Sequence, residues 1–125
     1  VSKHHPSIPI DLGQISTVLL ADWPSSDVPR SLVEAGFRVI VKGGPDDKFV
    51  EWSPSGDHVQ VADFDADILY VHRPLAELPH LIDLGRRHNV SAVWRDPAPD
   101  SASFRELVEA AHLVYVDECA ITAAL

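Results

Sequence analysis

Five short apolar runs punctuate this chain, and stretches of helical spacing lie between them. The runs are residues 17–20, 37–41, 67–71, 90–94 and 113–116. Each is too short for a helix and rich in β-branched, leucine or aromatic residues, as strands buried on both faces are. After the first run, Val28, Leu32 and Val33 recur at helical spacing. After the third come Leu78, Leu81, Ile82 and Gly85, and after the fourth Phe104, Leu107, Val108 and Ala111. Strands that alternate with helices close through right-handed crossovers, so the pattern predicts an α/β fold whose parallel sheet carries helices on both faces.

Local signals set the expected boundaries. Asp27 is placed to cap the first helix, Pro29 suits its first turn, and Gly36 ends it. Asp100 is expected to cap the third helix, and Arg86, Arg87 and His88 favour the last turn of the second. Residues 49–52 and 58–61 alternate around Ser53-Pro54-Ser55-Gly56-Asp57, which predicts a β-hairpin inserted near residues 49–61.

A chain of 125 residues suits one domain with a real core. Residues 1–15, with His4-His5-Pro6 and Pro9, read as an N-terminal tail, and 16–125 as the single domain. The formal net charge of -9 excludes a general binder of nucleic-acid backbone. One cysteine, Cys119, excludes an internal disulfide and fits a reducing compartment, so the cytoplasm is expected. No run reaches membrane-spanning length. No Walker loop, GxGxxG, Ser-His-Asp spacing or zinc pattern is present, so catalysis is not expected. His72, Asp96, Asp117, Glu118 and Cys119 are metal-type ligands on different strand ends without a recognised spacing, so no metal is expected either.

In a sheet of this kind ligands bind beyond the carboxyl ends of the strands, where the strand order reverses. The five ends are Ala21-Asp22-Trp23, Lys42-Gly43-Gly44, His72-Arg73-Pro74, Trp94-Arg95-Asp96 and Asp117-Glu118-Cys119. Lys42, Arg73 and Arg95 are cations in an acidic chain, which points to a small anionic ligand. Arg73 has the geometry to grip a phosphate bidentately. The first helix would offer free amides near Ser25, Ser26 and Asp27. Trp23 either stacks on a base or packs over the helix.

Taken in order, these landmarks resemble the small bacterial CoA-binding-domain proteins, relatives of the CoA-binding part of succinyl-CoA synthetase. The resemblance runs from about Ser16 to Ile121. It rests on Leu32-Val33-Glu34-Ala35-Gly36-Phe37-Arg38-Val39-Ile40, Tyr70-Val71-His72-Arg73-Pro74, Ala92-Val93-Trp94 and Val116-Asp117-Glu118-Cys119. It implies a Rossmann-like, three-layer fold with a five-stranded parallel sheet. It also implies that the domain binds CoA, acyl-CoA or a related nucleotide without chemistry of its own. The site would comprise Asp22, Trp23, Pro24, Ser25, Ser26, Lys42, Gly43, His72, Arg73, Pro74, Trp94 and Arg95.

The first connection departs from the family pattern. Members carry Gly-Ala-Ser-Pro where this chain has Ala21-Asp22-Trp23-Pro24. An ionised Asp22 about 4 Å from a phosphate would cost roughly 4 kcal/mol at an effective dielectric of about 20. The alternative expectation is therefore a degenerate member that no longer binds CoA. Such a domain would serve in assembly, as a homo-oligomer or with an unidentified protein partner, through the aromatic hairpin at Phe49 and Trp52.

Overall fold

The computed structural model describes residues 16–21, 27–43, 48–95 and 98–116. Asp22, Trp23, Pro24, Ser25 and Ser26 lie outside them, as do Asp96, Asp117, Glu118, Cys119 and the tail at 1–15. The elements run β1 (Thr17–Ala21), α1 (Asp27–Glu34), β2 (Arg38–Gly43), β3 (Lys48–Trp52), β4 (His58–Val61) and β5 (Ile68–Tyr70). A single 3-10 turn (Leu75–Glu77) then leads into α2 (Leu78–Arg87), followed by β6 (Ala92–Trp94), α3 (Ser101–Ala110) and β7 (Val114–Val116).

These elements make a mixed α/β architecture around one seven-stranded sheet of order β4-β3-β2-β1-β5-β6-β7. β1 pairs in parallel with β2 on one side and β5 on the other. β5 pairs in parallel with β6, and β6 with β7. β3 and β4 are antiparallel to their neighbours. The hairpin expected as an insertion thus lengthens the sheet itself. It satisfies the outer N–H and C=O groups of β2, which would otherwise form an open edge.

Alternation along β1 sends its side chains to two cores. Leu19 and Ala21 join Ile40, Leu69, Val93 and Tyr115 on one face, covered by Leu78, Leu81 and Ile82 of α2 and Phe104 and Val108 of α3. Val18 and Leu20 join Val39, Ile68, Tyr70, Trp94 and Val116 on the other, where Leu32 of α1 packs with Val28 and Val33 beside it. Each fully buried Leu, Ile or Val side chain contributes about 1.5–3 kcal/mol, so β1 alone anchors both faces.

α1, α2 and α3 each hand over to the next strand by the same latch. At the end of α1, Gly36 N–H donates to the Val33 carbonyl (3.0 Å) and Phe37 N–H to the Leu32 carbonyl (3.1 Å). Asn89 and Val90 repeat this pair of bonds onto Arg86 and Gly85 (both 3.1 Å), and His112 and Leu113 repeat it onto Glu109 and Val108 (2.9 and 3.2 Å). These are Schellman motifs, in which the residue past the helix takes a left-handed conformation and an apolar residue follows. Gly36 has φ 102°, but Asn89 (64°) and His112 (63°) hold the position without glycine. Gly85 serves the second latch differently: a Cβ there would lie 2.7 Å from the Val90 side chain.

The latch predicts two opposite results. Gly36→Ala will destabilise the fold by about 1–2 kcal/mol, the cost of a Cβ in the left-handed region. His112→Gly relieves that cost and is expected to stabilise by about 0.5–1 kcal/mol. Urea denaturation of both variants measures the pair, and a loss of stability in His112→Gly would refute the argument.

Helix starts are less uniform. Asp27, expected as a cap, is instead the first residue of α1, where its carboxylate still faces the positive end of the helix dipole. Asp100 holds the N-cap position of α3 without a side-chain capping bond, because its carboxylate is engaged elsewhere.

Where β1 and β5 begin, one carboxylate fastens them together. A single oxygen of Asp67 accepts the Thr17 N–H (2.8 Å), the Ser16 N–H (2.9 Å) and the Ser16 hydroxyl (3.1 Å). Partial burial pushes the Asp67 carboxyl up, but these hydrogen bonds outweigh it and hold the group below its ordinary value.

Candidate functional site

The parallel register brings the carboxyl ends of β2, β1, β5, β6 and β7 to one edge of the sheet. Ala21 is level with Lys42, Leu20 with Tyr70, and Tyr70 with Trp94, which is level with Val116. The ladder continues a step beyond, since Val71 N–H donates to the Trp94 carbonyl (2.8 Å) and Arg95 N–H to the Val116 carbonyl (2.9 Å). Lys42, Gly43, His72, Arg73, Pro74 and Arg95 are therefore gathered on this rim. The chain reverses its strand order here, between β1 and β5. α1 leaves toward one face and α2 toward the other.

The rim cations are not equivalent. Lys42 is buried, on the same face as Ala21 and Phe49, its neighbours in the register. Arg73 is half-exposed and forms a two-pronged pair with Glu77, Nε to Oε1 at 2.9 Å and Nη2 to Oε2 at 2.8 Å. That hydrogen bond from Arg73, aided by its charge, holds the Glu77 carboxyl below its ordinary value. Arg95 is mostly enclosed, with Nη1 2.6 Å from Asp100 Oδ1 and its guanidinium 3.7 Å from the centre of the Phe104 ring. A cation–aromatic contact of this kind is worth on the order of 1 kcal/mol. An incoming anion would compete with Glu77 for Arg73 and with Asp100 for Arg95.

Trp94, also expected at the site, is wholly buried and stacked on Tyr70, with ring centres 4.6 Å apart and planes 14° from parallel. His72 is exposed on the rim. Asp22, Trp23, Pro24, Ser25 and Ser26 fall outside the described residues. Among the described residues, no three His, Cys, Asp or Glu side chains converge on a metal position. No helix there is long and apolar enough to cross a membrane.

A concavity away from the rim, not legible in the sequence, lies between α1 and the turn joining β3 to β4. It has a volume of about 340 Å³ and is lined by Arg30, Glu34, Trp52, Ser55 and His58 among others. Trp52 and His58 stack there, 4.3 Å apart and 18° from parallel. Because Trp52 is level with Val39, near the start of β2, this groove sits at the edge opposite the rim. Arg30 and His58 are distant in sequence and meet only because the hairpin folds back beside α1.

No protein-family model matches the chain, and no curated protein matches its sequence. Two solved structures are similar in fold. One is a crystal structure of an uncharacterized protein, with TM-score 0.58 and 11% identity, covering 88% of this chain and 93% of that one. The other is the structure of cell-free ID.343 from Thermus thermophilus, with TM-score 0.56 and 23% identity, covering 88% of each chain. At such identities the likeness speaks to the fold alone, and what this chain shares with both is its α/β architecture.

Proposed function

We propose that this chain is a Rossmann-like, three-layer module with a five-stranded parallel core, a divergent relative of the CoA-binding-domain proteins, acting in the cytoplasm. It binds CoA, acyl-CoA or a related nucleotide at the carboxyl rim, without catalysis. One observation carries the reading: the strand order reverses between β1 and β5, and the helices that follow these two strands, α1 and α2, pack on opposite faces. Such a reversal opens the crevice in which α/β sheets take ligands. Lys42, Arg73 and Arg95 at that crevice, in a chain of net charge -9, supply the attraction for an anion.

Arg73 is the phosphate clamp in this reading. Its fork already holds a carboxylate, and a phosphate offers the same two-oxygen geometry with more charge. Asp22 opposes the ligand. Isothermal titration with CoA, acetyl-CoA, ADP and NAD tests the proposal. Arg73→Ala is expected to weaken CoA about tenfold, and Asp22→Ala to tighten it by about tenfold, or about 1.4 kcal/mol. Absence of both heat and thermal shift with about 1 mM of every ligand would overturn it.

A further inference from the structure

We infer that β4 is a docking strand for a second copy of this chain, and that the two sheets join antiparallel across a two-fold axis through Val59. The inference does not depend on the ligand reading. β4 ends the strand order, so among the described residues one side of its backbone faces no other strand. The hairpin bond from Ser53 N–H to the Asp57 carbonyl (2.9 Å) sets the alternation of the β3–β4 ladder. Residues 51 and 59, and 49 and 61, then form the hydrogen-bonded pairs, while 52 and 58, and 50 and 60, do not. The backbone groups of Val59 and Val61 are thereby used by β3, and those of His58 and Gln60 point outward.

Edge strands are normally protected by lysine, proline, a bulge or inward charges. His58-Val59-Gln60-Val61 has no lysine, proline or carboxylate, although the chain carries a net charge of -9. Copies that repel one another overall can approach most closely at a neutral strand. Val59 stands 58% exposed, one of two large apolar side chains so placed among the described residues.

Symmetry then selects the register. A strand paired with its own copy about a two-fold axis must be antiparallel and self-complementary. With the axis through Val59, His58 of each copy pairs with Gln60 of the other, using the outward N–H and C=O groups. Val59 meets Val59 of the second copy in a non-hydrogen-bonded pair, with Cα atoms about 4.5 Å apart, where cross-strand side chains are closest. An axis through Gln60 would set Asp57 opposite Asp63 of the other copy. An axis through His58 would require Gly56, inside the turn, to pair. Only the Val59 register uses the strand itself, avoids facing carboxylates and covers the exposed valine.

Sedimentation equilibrium of the full chain tests this. The mass is expected to rise toward twice the monomer as concentration increases, and more readily at high salt, where repulsion between acidic copies is screened. Val59→Asp should weaken association at least about tenfold, since it sets two carboxylates on the axis. In a Cys119→Ser background, Val59→Cys should form a disulfide-linked dimer under mild oxidation, because its Cα spacing lies within disulfide range, and Gln60→Cys should not. In the unaltered protein, amide exchange at His58 and Gln60 should slow with concentration while that at Val59 and Val61 does not change. A folded chain that stays monomeric at about 1 mM would overturn the proposal. So would cross-linking of Gln60→Cys as readily as Val59→Cys, undiminished association of Val59→Asp, or His58 and Gln60 amides whose exchange is independent of concentration.

Discussion

Replacing Trp94 with alanine will cost about 3–5 kcal/mol, the range for truncating a large buried aromatic side chain. Trp94 is fully enclosed, and its ring lies on that of Tyr70 at 4.6 Å. Truncation removes the stack and leaves a cavity between Tyr70 and Val116, its neighbours across the ladder, in the cluster that also holds Val18, Leu20 and Ile68. Since whole domains are held by only about 5–15 kcal/mol, a single substitution of this size consumes much of the margin. Urea denaturation measures the loss. Should the alanine variant fail to accumulate, Trp94→Phe gives a smaller loss that can still be read. A change below about 1 kcal/mol in Trp94→Ala would mean the indole is not what holds this layer. On the proposed CoA reading, the phenylalanine variant should leave ligand affinity unchanged if Trp94 acts through packing alone.

Asp67→Ala is expected to cost about 1–2 kcal/mol near neutral pH, toward the low end for bonds to a charged acceptor because the carboxylate is partly solvated. It leaves the Thr17 and Ser16 amides without their shared acceptor. The effect carries a pH signature. Burial raises the Asp67 carboxyl, and the bonds from Thr17 and Ser16 lower it further than burial raises it, so the folded group titrates below its ordinary value. A depressed acid contributes stability that is complete above its unfolded pKa and lost as pH falls through its folded pKa. The gap between parent and variant should therefore hold steady above about pH 5 and narrow as the pH falls below the ordinary carboxylate range. Denaturation at several pH values checks this, and a gap that widens on acidification would contradict the assignment.

Much of this architecture could be read from residue order, for reasons that particular elements make plain. The run at residues 17–20 reads as a doubly buried strand because both of its faces are apolar, and both faces of β1 are indeed buried. The hairpin was legible because Ser53-Pro54-Ser55-Gly56-Asp57 can do little but turn. Its destination was not, since nothing in residues 49–61 states which edge the hairpin will join. Phe49 and Trp52 illustrate the gap. As a pair of aromatics they suggest one contact surface, yet their separation by three residues sends them to opposite faces. Phe49 packs against Phe64 and His88, with centres 5.0 and 4.8 Å away, whereas Trp52 stacks on His58.

The rim was legible in position more than in state. Arg73 and Glu77 are four residues apart, a spacing that invites pairing once the intervening chain turns. The engagement of Arg95 depends on the angle at which α3 returns, and no periodicity encodes that angle. The helix ends at Asn89 and His112 lack the usual glycine signal. Asparagine tolerates the left-handed conformation through its short polar side chain, and histidine shares some of that enrichment. The Asn89 amide additionally donates to Asp65 Oδ1 at 2.7 Å, a contact visible only in three dimensions.

The repeated helix-to-strand latch has a consequence for how such a domain can vary. Three returns to the sheet are made by the same few backbone bonds, which leave little slack for inserted residues on that side. Substitution of a joint there must preserve a fixed hand-off angle, whereas the strand-to-helix connections at the other rim differ in length, running between residues 21 and 27, 70 and 75, and 94 and 101. Lineages diverging from this scaffold should accumulate length changes on one side and conserve joint length on the other. For protein engineering, the same asymmetry marks where foreign loops can be grafted.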